Sequence, residues 1–184
     1  MNICNLHNPC YFLVIYNKVW IMKTFVTHAF KPVYNANSKI LILGTMPSPQ
    51  SIRYGFYYSH PQNRFWPLLS TLFNEPLPKT PTEKESLVLR HGIALWDVLA
   101  SCEIKGASDA SIQNPVPNDL TPILAAAPIA NIYTTGKTAF NLFNKFIAPR
   151  INRQAIYLPS TSPANQALFP WDTLLHTWRS SLNL

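Results

Sequence analysis

Residues 54–66 read Tyr-Gly-Phe-Tyr-Tyr-Ser-His-Pro-Gln-Asn-Arg-Phe-Trp and hold six of the chain's 23 aromatic residues around one His, one Asn and one Arg. Aromatic faces supply stacking surface, and the amide, imidazole and guanidinium groups supply directional polar contacts at its edge. That combination suits a flat substrate with a polar rim, such as a nucleobase. Two further loops carry polar groups. Gly44-Thr-Met-Pro-Ser48 turns the backbone sharply and leaves amide N–H groups that can hold a carbonyl oxygen or a phosphate. Leu158-Pro-Ser-Thr-Ser-Pro-Ala-Asn165 is rich in hydroxyls, which either contact phosphates or cap a following helix.

Other chemistries find less support. Thr135-Gly-Lys-Thr138 ends like a phosphate loop, but that motif needs a glycine five positions before Gly136, where Asn131 stands, so a plain strand-to-helix turn is the better reading. Ser48, Asp97 and His176 fall in a hydrolase order, yet no Gly-x-Ser-x-Gly elbow surrounds any serine. The cysteines, Cys4, Cys10 and Cys102, lack the paired spacing of a zinc site, and His7, His28, His60, His91 and His176 are scattered, so no metal and no cofactor is expected.

Four apolar segments read as the strands that would position these groups: 39–43, 93–96, 130–134 and 154–158. Helical patterns lie between them. They cover 63–73, 82–90 with Thr82-Glu-Lys-Glu85 as a capping box, 119–126, 137–147 and 171–181. Strand and helix alternate throughout, which predicts an α/β fold of three layers, α/β/α, around a mainly parallel four-stranded sheet. All strand-end loops then share one edge, where an open α/β sheet binds its ligands. Three polar loops are expected there, 45–60, 101–118 and 159–165, and Pro76 to Pro81 reads as a surface linker.

At 184 residues the chain fits one domain with a sizeable core. Its net charge of +7 favours a polyanionic partner, but only 12% of residues are charged, so the excess reflects scarce acids and excludes a basic tail. Cysteine usage fits a reduced cytoplasmic setting. Residues 1–21 contain an apolar run that Asn17 and Lys18 interrupt well short of a membrane span, and no basic residue precedes it as a secretory signal requires. They are expected to be an extension outside the core, with Met22 as the true start and 22–184 as the single domain.

Taken in order, the Gly44–Ser48, Gly55–Trp66 and Leu158–Asn165 motifs resemble those of the uracil-DNA glycosylase superfamily, most closely its hypoxanthine-DNA (deoxyinosine) glycosylase family. Mismatch-specific uracil glycosylases carry a similar His-Pro-x-Asn-Arg-Phe-Trp block. The resemblance extends over roughly 24–181 and takes in Gly92-Ile-Ala-Leu-Trp-Asp-Val-Leu99. It implies a monofunctional glycosylase that flips a deaminated base, hypoxanthine and by extension uracil, out of DNA and hydrolyses its N-glycosidic bond. The implied partner is double-stranded DNA, with single-stranded DNA as an extension, and the protein is expected to be a monomer with no membrane association. Alternatives are a mismatch-type uracil glycosylase and a noncatalytic module that binds damaged or single-stranded nucleic acid.

The same resemblance assigns roles. The mismatch-specific enzymes hold the attacking water with an Asn where this chain has Met46, whose thioether cannot do so. In the hypoxanthine family that role goes to the Asn of the His-Pro-x-Asn block, here Asn63, which also suits a helix cap. Tyr58 would stack on the flipped base, and His60 would donate toward it or serve a structural role. Phe56, Phe65 and Trp66 are assigned to the core. The backbone of Thr45, Met46 and Pro47 would hold the base edge, with Ser48, Ser160, Thr161, Ser162, Pro163, Ala164 and Asn165 against the DNA. Ala164 replaces the leucine wedge of mismatch-specific relatives and is too small to fill a vacated stack.

Overall fold

The computed structural model describes residues 24–184, so the reading of residues 1–21 and of Met22 lies outside the described residues. Its seven strands are β1 (Thr24–Thr27), β2 (Ile40–Gly44), β3 (Ile93–Asp97), β4 (Leu99–Ile104), β5 (Gln113–Pro117), β6 (Asn131–Thr135) and β7 (Ile156–Leu158). The seven helices are α1 (Pro49–Arg53), α2 (Phe65–Phe73), α3 (Pro81–Arg90), α4 (Thr121–Ala126), α5 (Lys137–Phe146), α6 (Ala148–Ile151) and α7 (Trp171–Leu182).

β3, β2, β6 and β7 form the expected parallel sheet, in that spatial order. Alternation along β2 explains why the whole strand is apolar. Ile42 joins a core with Phe65, Leu69, Leu87 and Trp178 from α2, α3 and α7, while Leu41 and Leu43 join a second core with Ile123, Ala139 and Phe143 from α4 and α5. A strand buried on both faces cannot alternate polar with apolar. The parallel register also sets Gly44 opposite Asp97, so the carboxyl ends of β2 and β3 finish level at one edge.

Four expectations need correction. The 101–118 loop is instead half strand: β4 pairs antiparallel with β1 and with β5, giving a second, three-stranded sheet. Pro115 and Pro117 disguise β5, and they are tolerated because β5 is an edge strand. Asn118 anchors this sheet to the first, its Nδ2 donating to the carbonyls of Asp97 and Leu99 at 2.9 and 3.0 Å. The capping box is Thr80 with Glu83, two residues earlier than expected. Pro81 decides between the registers, since its fixed φ and missing N–H suit the first helical position. Pro81 therefore belongs to α3, not to a linker. The 45–60 loop also contains the short helix α1.

Candidate active site

The carboxyl ends of β2, β3 and β6 open into a cleft of about 640 Å³. Thr45, Met46, Pro47, Ser48, Tyr58, His60, Asn63 and the whole of Ser160 to Asn165 line it, so every residue nominated from sequence meets in one place. Burial grades down its wall. Asp97, Thr45, Tyr57 and Thr135 are buried, His60 and Asn63 intermediate, and Ala164 and Lys137 exposed. Floor and rim are thus distinct.

Gly44 makes the floor possible. A Cβ there would stand 2.3 Å from Asp97 Oδ1 and 3.0 Å from the Tyr58 hydroxyl, so only a residue without a side chain lets these groups converge. Asp97 Oδ2 lies 2.8 Å from His28 Nε2, and the two side chains are 4% and 6% exposed. Burial pushes the Asp97 carboxyl upward, while His28 and the Gly44 N–H oppose the shift. Asp109, on the 3-10 turn before β5, is an exposed residue that turns its carboxyl inward to accept from the Thr45 hydroxyl at 2.8 Å; desolvation there raises its carboxyl, the Thr45 bond opposes the rise and the Asp97 charge adds to it.

Tyr58 has φ +52°, a left-handed conformation that costs a non-glycine residue roughly 1–3 kcal/mol. Its ring stacks on Phe65 at 3.9 Å and 10°, which leaves one ring face for a ligand. Its hydroxyl is 3.3 Å from Thr135 Oγ1. Burial, followed by the Asp97 charge, pushes its ionisation upward, so it stays neutral. Next to it Tyr57 donates to the Lys31 carbonyl at 3.0 Å and stays in the core.

Asn63 precedes α2. Its Oδ1 accepts from the Phe65 N–H at 3.0 Å and from the Thr161 hydroxyl at 2.8 Å. A carbonyl oxygen has two lone pairs, so both are engaged and only Nδ2 remains to meet a ligand, as a donor. The backbone N–H fixes the amide orientation, because it can only donate. Arg64 reinforces this junction: its N–H donates to the Thr161 carbonyl at 3.1 Å and its Nη1 to that of Phe169 at 2.6 Å.

The remaining nominated residues divide. Ser48 caps α1 by accepting from the Ser51 N–H at 3.1 Å, and Ser160 accepts from the Ser162 N–H at 3.2 Å. Thr161 is 1% exposed, its hydroxyl turned to Asn63. Met46 packs on the second core. His60 Nδ1 accepts from the Gln62 N–H at 3.1 Å, which places the ring hydrogen of a neutral His60 on Nε2. The side chain of Asn165 donates to the Ser160 carbonyl at 2.9 Å. Pro163 opens a single 3-10 turn that carries Ala164 at the rim.

Several lining residues escape the sequence reading. It names Asp97 beside Ser48 and His176 and within the Gly92–Leu99 stretch without giving it a role in the cleft, and His176 sits on α7 and does not line the cleft. The usable signal was a lone carboxylate ending an apolar strand at the ligand-binding edge. Thr135, Gly136, Lys137 and Thr138 also line the cleft. Gly136 has φ +89°, and a Cβ there would lie 3.2 Å from that of Ser160, so the turn brings α5 close to the 158–165 loop. Among the described residues no group of three or more His, Cys, Asp or Glu could hold a metal ion.

An α/β sheet whose strand ends carry an open cleft, with an aromatic ring and a fixed amide in its wall, defines the class. The Uracil DNA glycosylase superfamily model matches residues 31–178, and the chain belongs to that superfamily. A hypoxanthine DNA glycosylase of Methanosarcina acetivorans is 36% identical over 104 residues, 56% of this chain and 66% of that one. Another, from Methanosarcina barkeri, is 37% identical over 100 residues, 54% of this chain and 63% of its own. The matched stretch spans just under two thirds of either relative. A solution NMR structure of a candidate uracil DNA glycosylase from Methanosarcina acetivorans superposes with a TM-score of 0.70 at 30% identity, covering 85% of this chain and 96% of that one.

Proposed function

We propose that the protein is a metal-independent DNA glycosylase that hydrolyses the N-glycosidic bond of deaminated bases, hypoxanthine first and uracil second, in double-stranded DNA. The observation that carries this reading is the pairing, within one cleft, of a strained Tyr58 with one ring face occupied and an Asn63 whose amide is locked by Phe65 and Thr161. Superfamily membership and the hypoxanthine glycosylases among its relatives support it.

Sugar–base cleavage passes through an oxocarbenium-like centre, so the water needs placement more than activation. Asn63 Nδ2 donates to that water and leaves the water's other lone pair to attack C1′ as the C1′–N bond breaks; the bonding pair departs with the base, which takes up the proton the water loses. Tyr58 stacks on the flipped base, and the 160–165 loop with Lys137 at the rim holds the phosphates. The same engaged Oδ1 favours a second reading. With Met46 unable to hold water and the Asn63 acceptor occupied, a module that binds deaminated DNA without cleaving it remains the alternative.

Duplexes carrying one deoxyinosine, one deoxyuridine or no lesion, treated with alkali after incubation, decide between them. The wild type cuts at inosine, Asn63→Ala loses at least about 100-fold, and Asn63→Asp loses activity while keeping the melting temperature, because its carboxylate still accepts from Phe65 and Thr161. Undiminished cutting by Asn63→Ala would remove Asn63 from its role. Wild-type binding without cutting would leave the module.

A further inference from the structure

On the proposed function a basic side chain reads first as a phosphate contact, but Lys84 is turned elsewhere. It lies on α3, is half-buried, and does not line the cleft. Among the described residues no carboxylate pairs with it. Its ammonium instead donates to the Ser59 hydroxyl at 2.8 Å and sits 5.5 Å from the centroid of the Trp66 ring. Burial weakens the hold of that amine on its proton, as befits a cation drawn inward onto neutral partners.

A hydroxyl has a single proton, and an ammonium can only donate. Lys84 therefore makes Ser59 its acceptor and directs the Ser59 proton to the Tyr57 carbonyl, 3.3 Å away, which also accepts from Trp66 Nε1 at 3.0 Å. The bridge from Ser59 to Tyr57 closes around Tyr58. That is the residue at φ +52°, and a non-glycine residue stays left-handed only where its surroundings over-determine it. Tyr57 is itself tied down by its hydroxyl bond to the Lys31 carbonyl at 3.0 Å, so the restraint on the far side of Tyr58 falls to Ser59 and Lys84. We propose that Lys84 is a positioning residue, which through the Ser59 hydroxyl holds Tyr58 left-handed, with one ring face on Phe65 and the other free for a ligand. Its consequence for binding rests on the reading of Tyr58 as the platform for a flipped base.

Two measurements test it. Lys84→Met keeps the aliphatic stem and removes the donor, Ser59→Ala removes the hydroxyl, and the two are also combined. Stacking over the Phe65 face shifts the Tyr58 ring protons upfield in the NMR spectrum of the free protein. Each single variant and the double should lose that shift to the same extent, whereas Lys84→Arg, which keeps a charged donor, should retain it. An unmoved shift in Lys84→Met overturns the proposal even if the melting temperature falls, since the lysine would then be merely structural. The second measurement is binding to duplexes carrying 2′-fluorinated, cleavage-resistant inosine or adenosine. Lys84→Met should bind the inosine duplex about 5-fold more weakly, at the lower end of what losing a stacked base costs, with the adenosine duplex and the salt slope unchanged. The double variant should fall no more than about 2-fold beyond the weaker single, because both act through one bridge, and additive losses overturn the proposal. Equal weakening of both duplexes with a slope reduced by about 0.9 would make Lys84 a phosphate contact and also overturn it. A wild type that neither prefers nor cuts inosine ends the glycosylase reading, while the ring shift still decides whether Lys84 holds Tyr58.

Discussion

The floor and the rim of the cleft are built on different principles. Floor groups are tied to protein partners: Asp97 and Thr45, buried at strand ends, to His28 and Asp109, and the half-buried Tyr58, on the segment between α1 and α2, to Thr135 and Phe65. Rim groups sit on loops and a helix start and are more exposed, with Ser160 and Asn165 bonded mainly within their own loop. A fixed floor suits recognition of a rigid base, where an ångström matters. An exposed rim suits phosphates, which present the same charge whatever the sequence. On the proposed function, the difference assigns base identity and DNA affinity to separable sets of residues. That separation can be broken by experiment.

The largest effect is expected at Gly44. Its backbone is not in the left-handed region, so Gly44→Ala strains only the space between Asp97 and Tyr58, where the new Cβ meets Asp97 Oδ1 at 2.3 Å. Single-turnover cutting at deoxyinosine should fall ~100-fold or more. Overpacking should cost about 1–3 kcal/mol, read as a fall in melting temperature. An unchanged rate would show that the floor tolerates displacement and would remove the contrast with the rim. A smaller effect is expected at Tyr58. Tyr58→Leu removes a stacking surface worth roughly 1–3 kcal/mol, so affinity for lesion-bearing duplex should weaken about 5- to 150-fold. Tyr58→Phe, which loses only the 3.3 Å contact to Thr135, should stay close to wild type.

How far this division can be read from sequence depends on the range of the interactions. The central strand β2 was legible because burial on both faces makes its residues uniformly apolar, as in Ile40–Gly44. The loop edge followed from strand–helix alternation, and the thirteen nominated residues came from the motifs of the resembling family. The second sheet was illegible because Pro115 and Pro117 mask β5, and only its edge position makes them acceptable. The floor's partnerships were also hidden. His28 and Asp97 are 69 positions apart, and Thr161 reaches Asn63 across 98, so neither local periodicity nor a motif records them. Asn63 was legible as a residue that matters, but not as one whose acceptor is already engaged.

The smallest effect tests the rim. Lys137 is exposed at the start of α5, where Gly136 turns the chain toward Ser160 and no side chain caps the helix. Its ammonium and the first-turn N–H groups together suit one phosphate. Lys137→Ala should weaken duplex binding only a few-fold at moderate salt, and by a similar factor for inosine, uracil and undamaged DNA. Its signature is in the salt dependence, because each phosphate contact releases condensed counterions: the slope of log affinity against log salt should fall by about 0.9 for duplex DNA. A change in the inosine-to-uracil ratio with an unaltered slope would place Lys137 among the base-reading residues, and the boundary between floor and rim would have to move outward to include α5.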